Sequence, residues 1–310
     1  MFAHQVIDDF TSYEKYCKDD VLLSTFRTVS KLIKNSQQFH IGNWGELKHQ
    51  FKSYYLGKNL FLDPDVSDFI RLPYNTCWFD YTVNHYSAIS SPDKGRRSII
   101  IPKRGILAHE IAGDSMCVWM VRFIEGRWIV GRYEHYISIG KPLKESSFHE
   151  KFNIPSEMRT QFGSTDLNIM SVATDGIHEY GGYDKSTFRD KVMEYDKYDL
   201  ACLNVCLMLL SCKNIGAETV YPAVALNKKR KKRGRQPLFS YHTLVLKPVG
   251  KKQESIPGNQ WNNRIHLQRG HFKTYTVDKP LFGNISGRFW WQPHVRGQNR
   301  DGVVMKDYEI

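Results

Sequence analysis

No apolar run in this 310-residue sequence is long enough to cross a bilayer. The longest apolar-rich stretch, Ala201–Cys212, falls short of the about 20 residues that a spanning helix needs. The opening stretch, Met1–Phe10, has no cationic segment followed by an apolar one, so no secretory leader is read there. No Cys-x-x-Cys pair occurs among the six cysteines, which removes zinc-finger spacing. Cys202 and Cys206 lie one helical turn apart in an apolar run and read as small buried hydrophobes. A phosphate-binding Gly-rich loop ending in Lys-Ser/Thr is missing, and so is a His-Glu-x-x-His helix. Glu46-Leu-Lys48 has a nuclease-like look but lacks the Pro-Asp that precedes such a pair. These absences lead to the expectation of an intracellular protein with no membrane partner and no cofactor.

Acid is scarce at one end of the chain. From Leu226 to Ile310 there are 18 Lys and Arg against 5 Asp and Glu, whereas the rest of the chain is close to neutral. The whole net charge of +12 therefore belongs to the C-terminal quarter. A field gathered in one segment is aimed at a polyanion. Its densest part, Lys228-Lys229-Arg230-Lys231-Lys232-Arg233-Gly234-Arg235, repels itself and reads as an exposed, mobile loop. Phosphate contact by such a run is salt-sensitive and indifferent to sequence. It would also pass as a nuclear localisation signal or as a plain solvated surface.

Apolar content of 41% supports a real core, and the patterning predicts an α+β fold. Val21–Lys34 has helical spacing, and Asn43 and Gly57 frame a second helix. Candidate strands are Cys77–Val83, Ser98–Ile101, Gly105–Ile111, Met116–Ile124 and Arg127–Ile139, with a hairpin turn at Glu125-Gly126. Strands in succession favour an antiparallel meander. Residues 140–185 read as loops. A long helix from Ser186 or Thr187 to Lys213, apolar on most faces in its second half, is expected to be buried across the sheet. Tyr241–Leu246, Arg264–Tyr275 and Gly287–Val295 complete the strands. The expectation is one α+β domain over 1–310: an antiparallel sheet with N-terminal helices and one long buried helix packed on it. Its sub-units would be a helical 1–70, a sheet plus long helix at 71–225, and a basic β-rich 226–310.

Two patterns in the basic quarter mix His, Arg and Gly: His266-Leu-Gln-Arg269-Gly270-His271 and His294-Val-Arg296-Gly297. The apolar parity changes near Gly270, which predicts a β-bulge there or, as the alternative, a tight turn at Arg269-Gly270. With a bulge, His266, His271, Lys273 and Tyr275 share a face. In the strand Gly287–Gly297, Arg288, Trp290, Gln292, His294 and Arg296 lie on one side, and Pro293 marks an edge or irregular strand. If residues 282–287 fold this strand back on the first, the His and Arg positions converge. Three chemistries fit such a surface. His266, His271 and His294, with Tyr275, would cleave RNA by proton transfer while arginine stabilises the phosphorane. Three histidines would alternatively hold a metal, although no carboxylate stands nearby to orient them. Or Arg269, Lys273, Arg288 and Arg296 bind phosphates while bases stack on Trp290, Trp291 and Phe272. Structural hydrogen bonding of all these groups is the plainest alternative.

The segment Leu226-Asn-Lys-Lys-Arg230, with Gly234-Arg-Gln-Pro237-Leu238 and Tyr241 after it, resembles an uncharacterised protein family of tailed bacteriophages and prophages. The His266-x-x-Arg269-Gly270-His271 element and the Trp-rich strand ending in His294-x-Arg296-Gly297 belong to the same pattern. Leu72-Pro73-Tyr74 and Trp78-Phe-Asp-Tyr81 look like its aromatic segment. The resemblance covers the C-terminal 85 residues well and the rest thinly. It implies a phage setting in the cytoplasm of an infected bacterial cell, against a nuclear signal, and no mechanism. The functional expectation is a nucleic-acid-binding protein, DNA or RNA, for host takeover or counter-defence. The alternatives are a metal-independent nuclease or phosphoryl-transfer enzyme, and an inhibitor that docks on a host protein.

Overall fold

The computed structural model describes residues 1–44, 70–83, 86–91, 95–100, 102–153, 169–173, 185–246, 264–268, 271–282, 284–291, 294–296 and 298–303. Two helices, α1 (Ala3–Tyr13) and α2 (Asp20–Asn35), lead into strand β1 (Gln37–Asn43). Then come β2 (Thr76–Thr82), the hairpin β3 (Tyr86–Ser91) and β4 (Gly95–Ile100), and β5 (Lys103–Ala112), β6 (Ser115–Ile124) and β7 (Arg127–Ser138). A short helix α3 (Glu145–Lys151), strand β8 (Ile169–Ala173), the long helix α4 (Lys185–Leu210) and strand β9 (Ile215–Val220) follow. Helix α5 (Val224–Lys232) precedes β10 (Tyr241–Leu246), β11 (Arg264–Gln268), β12 (His271–Tyr275), β13 (Gly287–Trp291), β14 (His294–Arg296) and β15 (Gln298–Val303).

Eight strands form one sheet in the order β8-β7-β6-β5-β2-β1-β10-β9. The α+β class holds, but the sheet is mixed where a purely antiparallel one was expected. β1 runs parallel to both of its neighbours, β2 and β10, while the remaining pairs are antiparallel. Parallel neighbours come from distant parts of the chain, because a parallel pair needs a long crossover. The meander through β5, β6 and β7 follows the patterning, and its Glu125-Gly126 turn has positive φ at both residues, as a two-residue hairpin demands. β1, β9, α3 and β8 were not read from the sequence; the last two fall in the stretch taken for loops. The helix expected from Asn43 to Gly57 lies outside the described residues beyond Trp44.

The core occupies both faces of this sheet. On β2, Cys77, Phe79 and Tyr81 point to one side and pack with Ile106, Val118 and Met120 against the second half of α4, including Leu203 and Leu207. Trp78 points to the other side, where Leu107, Trp119 and Val121 meet Val6 and Phe10 of α1 and Val29 and Ile33 of α2. Alternation along one strand thus feeds two cores, and that explains why the central strands read as nearly continuous apolar runs. Gly105 is required here: a Cβ at that position would fall inside the Trp78 ring. Five of the six cysteines are buried, all are free thiols, and burial pushes those of Cys77 and Cys212 up to about 12.

Candidate functional site

The basic run is not a loop. Val224–Lys232 is helical, and the chain then turns back at Gly234, whose φ of +65° favours glycine. Asn227 clamps the returning segment with both ends of its amide: Nδ2 donates to the Leu238 carbonyl at 3.0 Å, and Oδ1 accepts from the Leu238 amide at 2.7 Å. Arg230 donates through Nε to the Gln236 carbonyl at 2.6 Å and pairs with Asp8 of α1 at 2.6 Å. The other Asp8 oxygen accepts from the Gln236 amide at 2.7 Å. The Leu-Asn-x-x-Arg and Gly-x-x-Pro-Leu elements are therefore the two halves of one clamp that fixes α5 to α1. Arg230 is half-buried in this anchor, whereas Lys228, Lys229, Lys231, Lys232, Arg233 and Arg235 are exposed. Four cations in the last turn also complement the negative end of the helix dipole.

The His/Arg strands fold back on each other as expected. β12 pairs antiparallel with β13, and β11 with β14. The last pair of one ladder is Gln268↔His294 and the first of the other is His271↔Trp291, so two residues lie between them on each strand. Arg269-Gly270, where a bulge or a tight turn was expected, lies between the two ladders and outside the described residues. His266 pairs with Arg296, and His294, two rungs along, pairs with Gln268, so these three positions share one parity of the ladder. His271 belongs to the other ladder, opposite Trp291. One of the three candidate histidines, His266, is thus in register with an arginine, and a second, His294, shares its ladder. Arg269 lies outside the described residues.

Trp290, expected as a stacking platform, is buried among the core residues beside Phe272, with ring centroids 4.7 Å apart. Its backbone is held by Asn214, which donates to its carbonyl at 2.6 Å and accepts from its amide at 2.9 Å. Arg288 is buried too, with Nε 3.3 Å from Thr274 Oγ1. Tyr275 packs edge-on against Phe289, and the Lys273 ammonium sits 4.9 Å from the Tyr275 ring centre. Neither Arg288 nor Trp290 presents an open surface; both secure the hairpin to the end of α4.

Two carboxylate clusters went unread in the sequence. The first lies between α4 and the sheet. Asp199 accepts from Tyr81 Oη, from Arg104 at 2.7 Å and from Arg122, while Asp196 binds Arg122 and His135, the latter at 2.9 Å. Burial pushes both carboxyls up, but Arg122 together with His135 at Asp196, and with Arg104 and Tyr81 at Asp199, outweighs it, and both end below the usual carboxylate range. Two anions face two cations, and every carboxylate oxygen is bonded. A closed network of this kind is a lock between α4 and strands β2, β5, β6 and β7, with each carboxylate oxygen already engaged.

The second cluster is open on one side. Asp80, fully buried, accepts from the Phe2 amide at 2.6 Å, from Trp78 Nε1 at 3.3 Å and from His40 Nδ1 at 2.5 Å. His40 is 30% exposed, and among the described residues its Nε2 has no partner. A buried carboxylate on Nδ1 holds the tautomer that leaves Nε2 as a free base. His4 stands in the same neighbourhood with an unpartnered, buried Nδ1. Burial, then Arg230 and the chain amino group, pull its pKa down to about 4, against smaller upward pulls from Asp8 and Asp80. Unfolded, the same imidazole titrates near 6.5, so the unfolded chain takes up the proton first. Stability is accordingly full above about pH 6.5 and falls as the pH drops toward about 4. Urea midpoints compared at about pH 7 and pH 5 will show this loss, and His4→Leu will flatten it.

Among the described residues no group of three or more His, Cys, Asp or Glu is placed to hold a metal ion, and no helix is long and apolar enough to cross a membrane. Compared with protein-family models, curated proteins and solved structures, the chain matches none.

Proposed function

We propose that this chain is a nucleic-acid-binding protein whose principal contact is α5 with the turn that follows it. The observation that carries the reading is the clamp. Six exposed cations stand on an element held in place by Asn227 and Arg230, and no acidic residue occurs between Glu218 and Glu254 to neutralise them. A fixed array loses less conformational entropy on binding than a mobile tail does. The array reads phosphate and not bases, so the affinity is general and salt-dependent. The resemblance of the same clamp motif to the phage family supports a setting inside an infected bacterial cell.

The test is a fluorescence-anisotropy titration against single-stranded DNA, duplex DNA and RNA over a range of salt. If all six cations neutralise phosphates, the logarithm of the binding constant falls with the logarithm of salt concentration at a slope of about −4 to −5. Weak binding that is insensitive to salt on all three would end the proposal.

A further inference from the structure

We infer that His40, oriented by Asp80, is a general base that cleaves RNA lying along α5. This inference rests on the nucleic-acid-binding reading and adds a reaction to it. Three observations converge on it. The first is the dyad itself. Asp80 is fully buried and spends its oxygens on fixed donors, the Phe2 amide and the Trp78 indole, besides His40. Such a carboxylate cannot swing away, and it holds His40 with Nε2 facing the exposed side.

The second is position. The dyad meets α1 at Phe2, and the cationic helix meets α1 at Asp8. Six residues of helix separate these contacts, about 9 Å along the axis. His4, between them, feels both Arg230 and Asp80 electrostatically. A strand whose phosphates lie on α5 therefore has sugar and phosphate groups within reach of His40.

The third concerns the nucleophile. His40 Nε2 is bonded to no hydroxyl or thiol of the described residues, and the hydroxyl on its paired residue Thr243 is directed at the Glu218 carbonyl at 3.5 Å. A base with no protein nucleophile to activate suits a substrate that brings its own, and the ribose 2′-hydroxyl is one.

The step balances without a further reactant. His40 Nε2 takes the proton from the 2′-hydroxyl, and O2′ forms a bond to phosphorus. The bond from phosphorus to O5′ breaks, and the imidazolium returns its proton to O5′. The products are a 2′,3′-cyclic phosphate and a 5′-hydroxyl, and the imidazole is regenerated. Asp80 is a positioning residue that also stabilises the transient imidazolium.

The experiment uses the full chain with a fluorescein-labelled RNA oligonucleotide in EDTA. Cleavage to a cyclic phosphate end is expected. His40→Ala, purified in the same way, should cut about 100-fold more slowly or less, bind RNA with unchanged Kd, and regain activity in added imidazole. Asp80→Asn should lower kcat and leave KM for RNA in place. DNA of the same sequence and 2′-O-methyl RNA should be bound and left intact. RNA that is bound but uncut overturns the dyad and spares the binding reading; RNA that is not bound overturns both. Cleavage that persists in His40→Ala, extends to DNA, or disappears in EDTA also overturns it. His40 is partly exposed, so its variant remains informative even if Asp80→Asn does not fold.

Discussion

Leucine in place of Arg122 lowers the free energy of unfolding by about 3–5 kcal/mol, as equilibrium urea denaturation at neutral pH will show. Arg122 is the shared cation of the buried network: it binds Asp196 with one contact and Asp199 with two. Its removal leaves Asp196 with His135 alone and Asp199 with Arg104 and Tyr81. Two carboxylates then face one guanidinium, and the surplus negative charge is buried. Leucine restores some apolar contact but no charge, so the desolvation penalty dominates. The loss is a large part of the 5–15 kcal/mol typical of a folded domain. A change below about 1 kcal/mol would mean that the carboxylates reach water or take up protons, and the lock would not be what joins α4 to the sheet. Such a network adds little net stability when intact, so its weight shows only when one member is removed.

Glutamine at Lys228, Lys229, Lys231 and Lys232 together weakens nucleic-acid binding by about 100-fold at moderate salt and reduces the magnitude of the salt slope by about 3. The argument is arithmetic in phosphates. Each neutralised phosphate contributes about 0.7 to 0.9 to the slope, and four of the six exposed cations are removed. The fold is not expected to change, because α5 has no buried residues and its attachment runs through Asn227, Arg230 and the turn at Gly234. Anisotropy titration of the variant beside the parent measures both quantities. An unchanged slope would remove α5 from the interface and shift attention to the ladder that carries His266, Arg296 and His294. The two effects are independent: the lock lies on the α4 side of the sheet, and α5 is anchored to α1 on the other.

Much of the local architecture was legible in the sequence. The strands of the meander, the Glu125-Gly126 turn, the span of α2, the burial of α4 and the strand Tyr241–Leu246 all follow from spacing over a few residues. The hairpin pairing of the two His/Arg strands was legible as well, because turn residues sit between them. The bulge or turn expected at Arg269-Gly270 lies outside the described residues. Phe272, whose parity suggested it, packs with Trp290, directly opposite it in the register. Arg288 and Trp290 were misjudged because an arginine or a tryptophan on a short strand looks the same whether it faces solvent or the end of a helix.

The sequence by itself determined the charge asymmetry, the α+β class and the elements whose periodicity is local. Tertiary structure decided the rest. It set β1 parallel between β2 and β10, brought Asp80 to His40 across 40 residues, Asp199 to Arg122 across 77, and Arg230 to Asp8 across 222. Periodicity reports which face of an element is apolar, and it carries no information about which distant polar group will meet that face. A buried carboxylate is tolerated only where donors converge on it, and the donors here come from elements whose adjacency is a property of the whole fold.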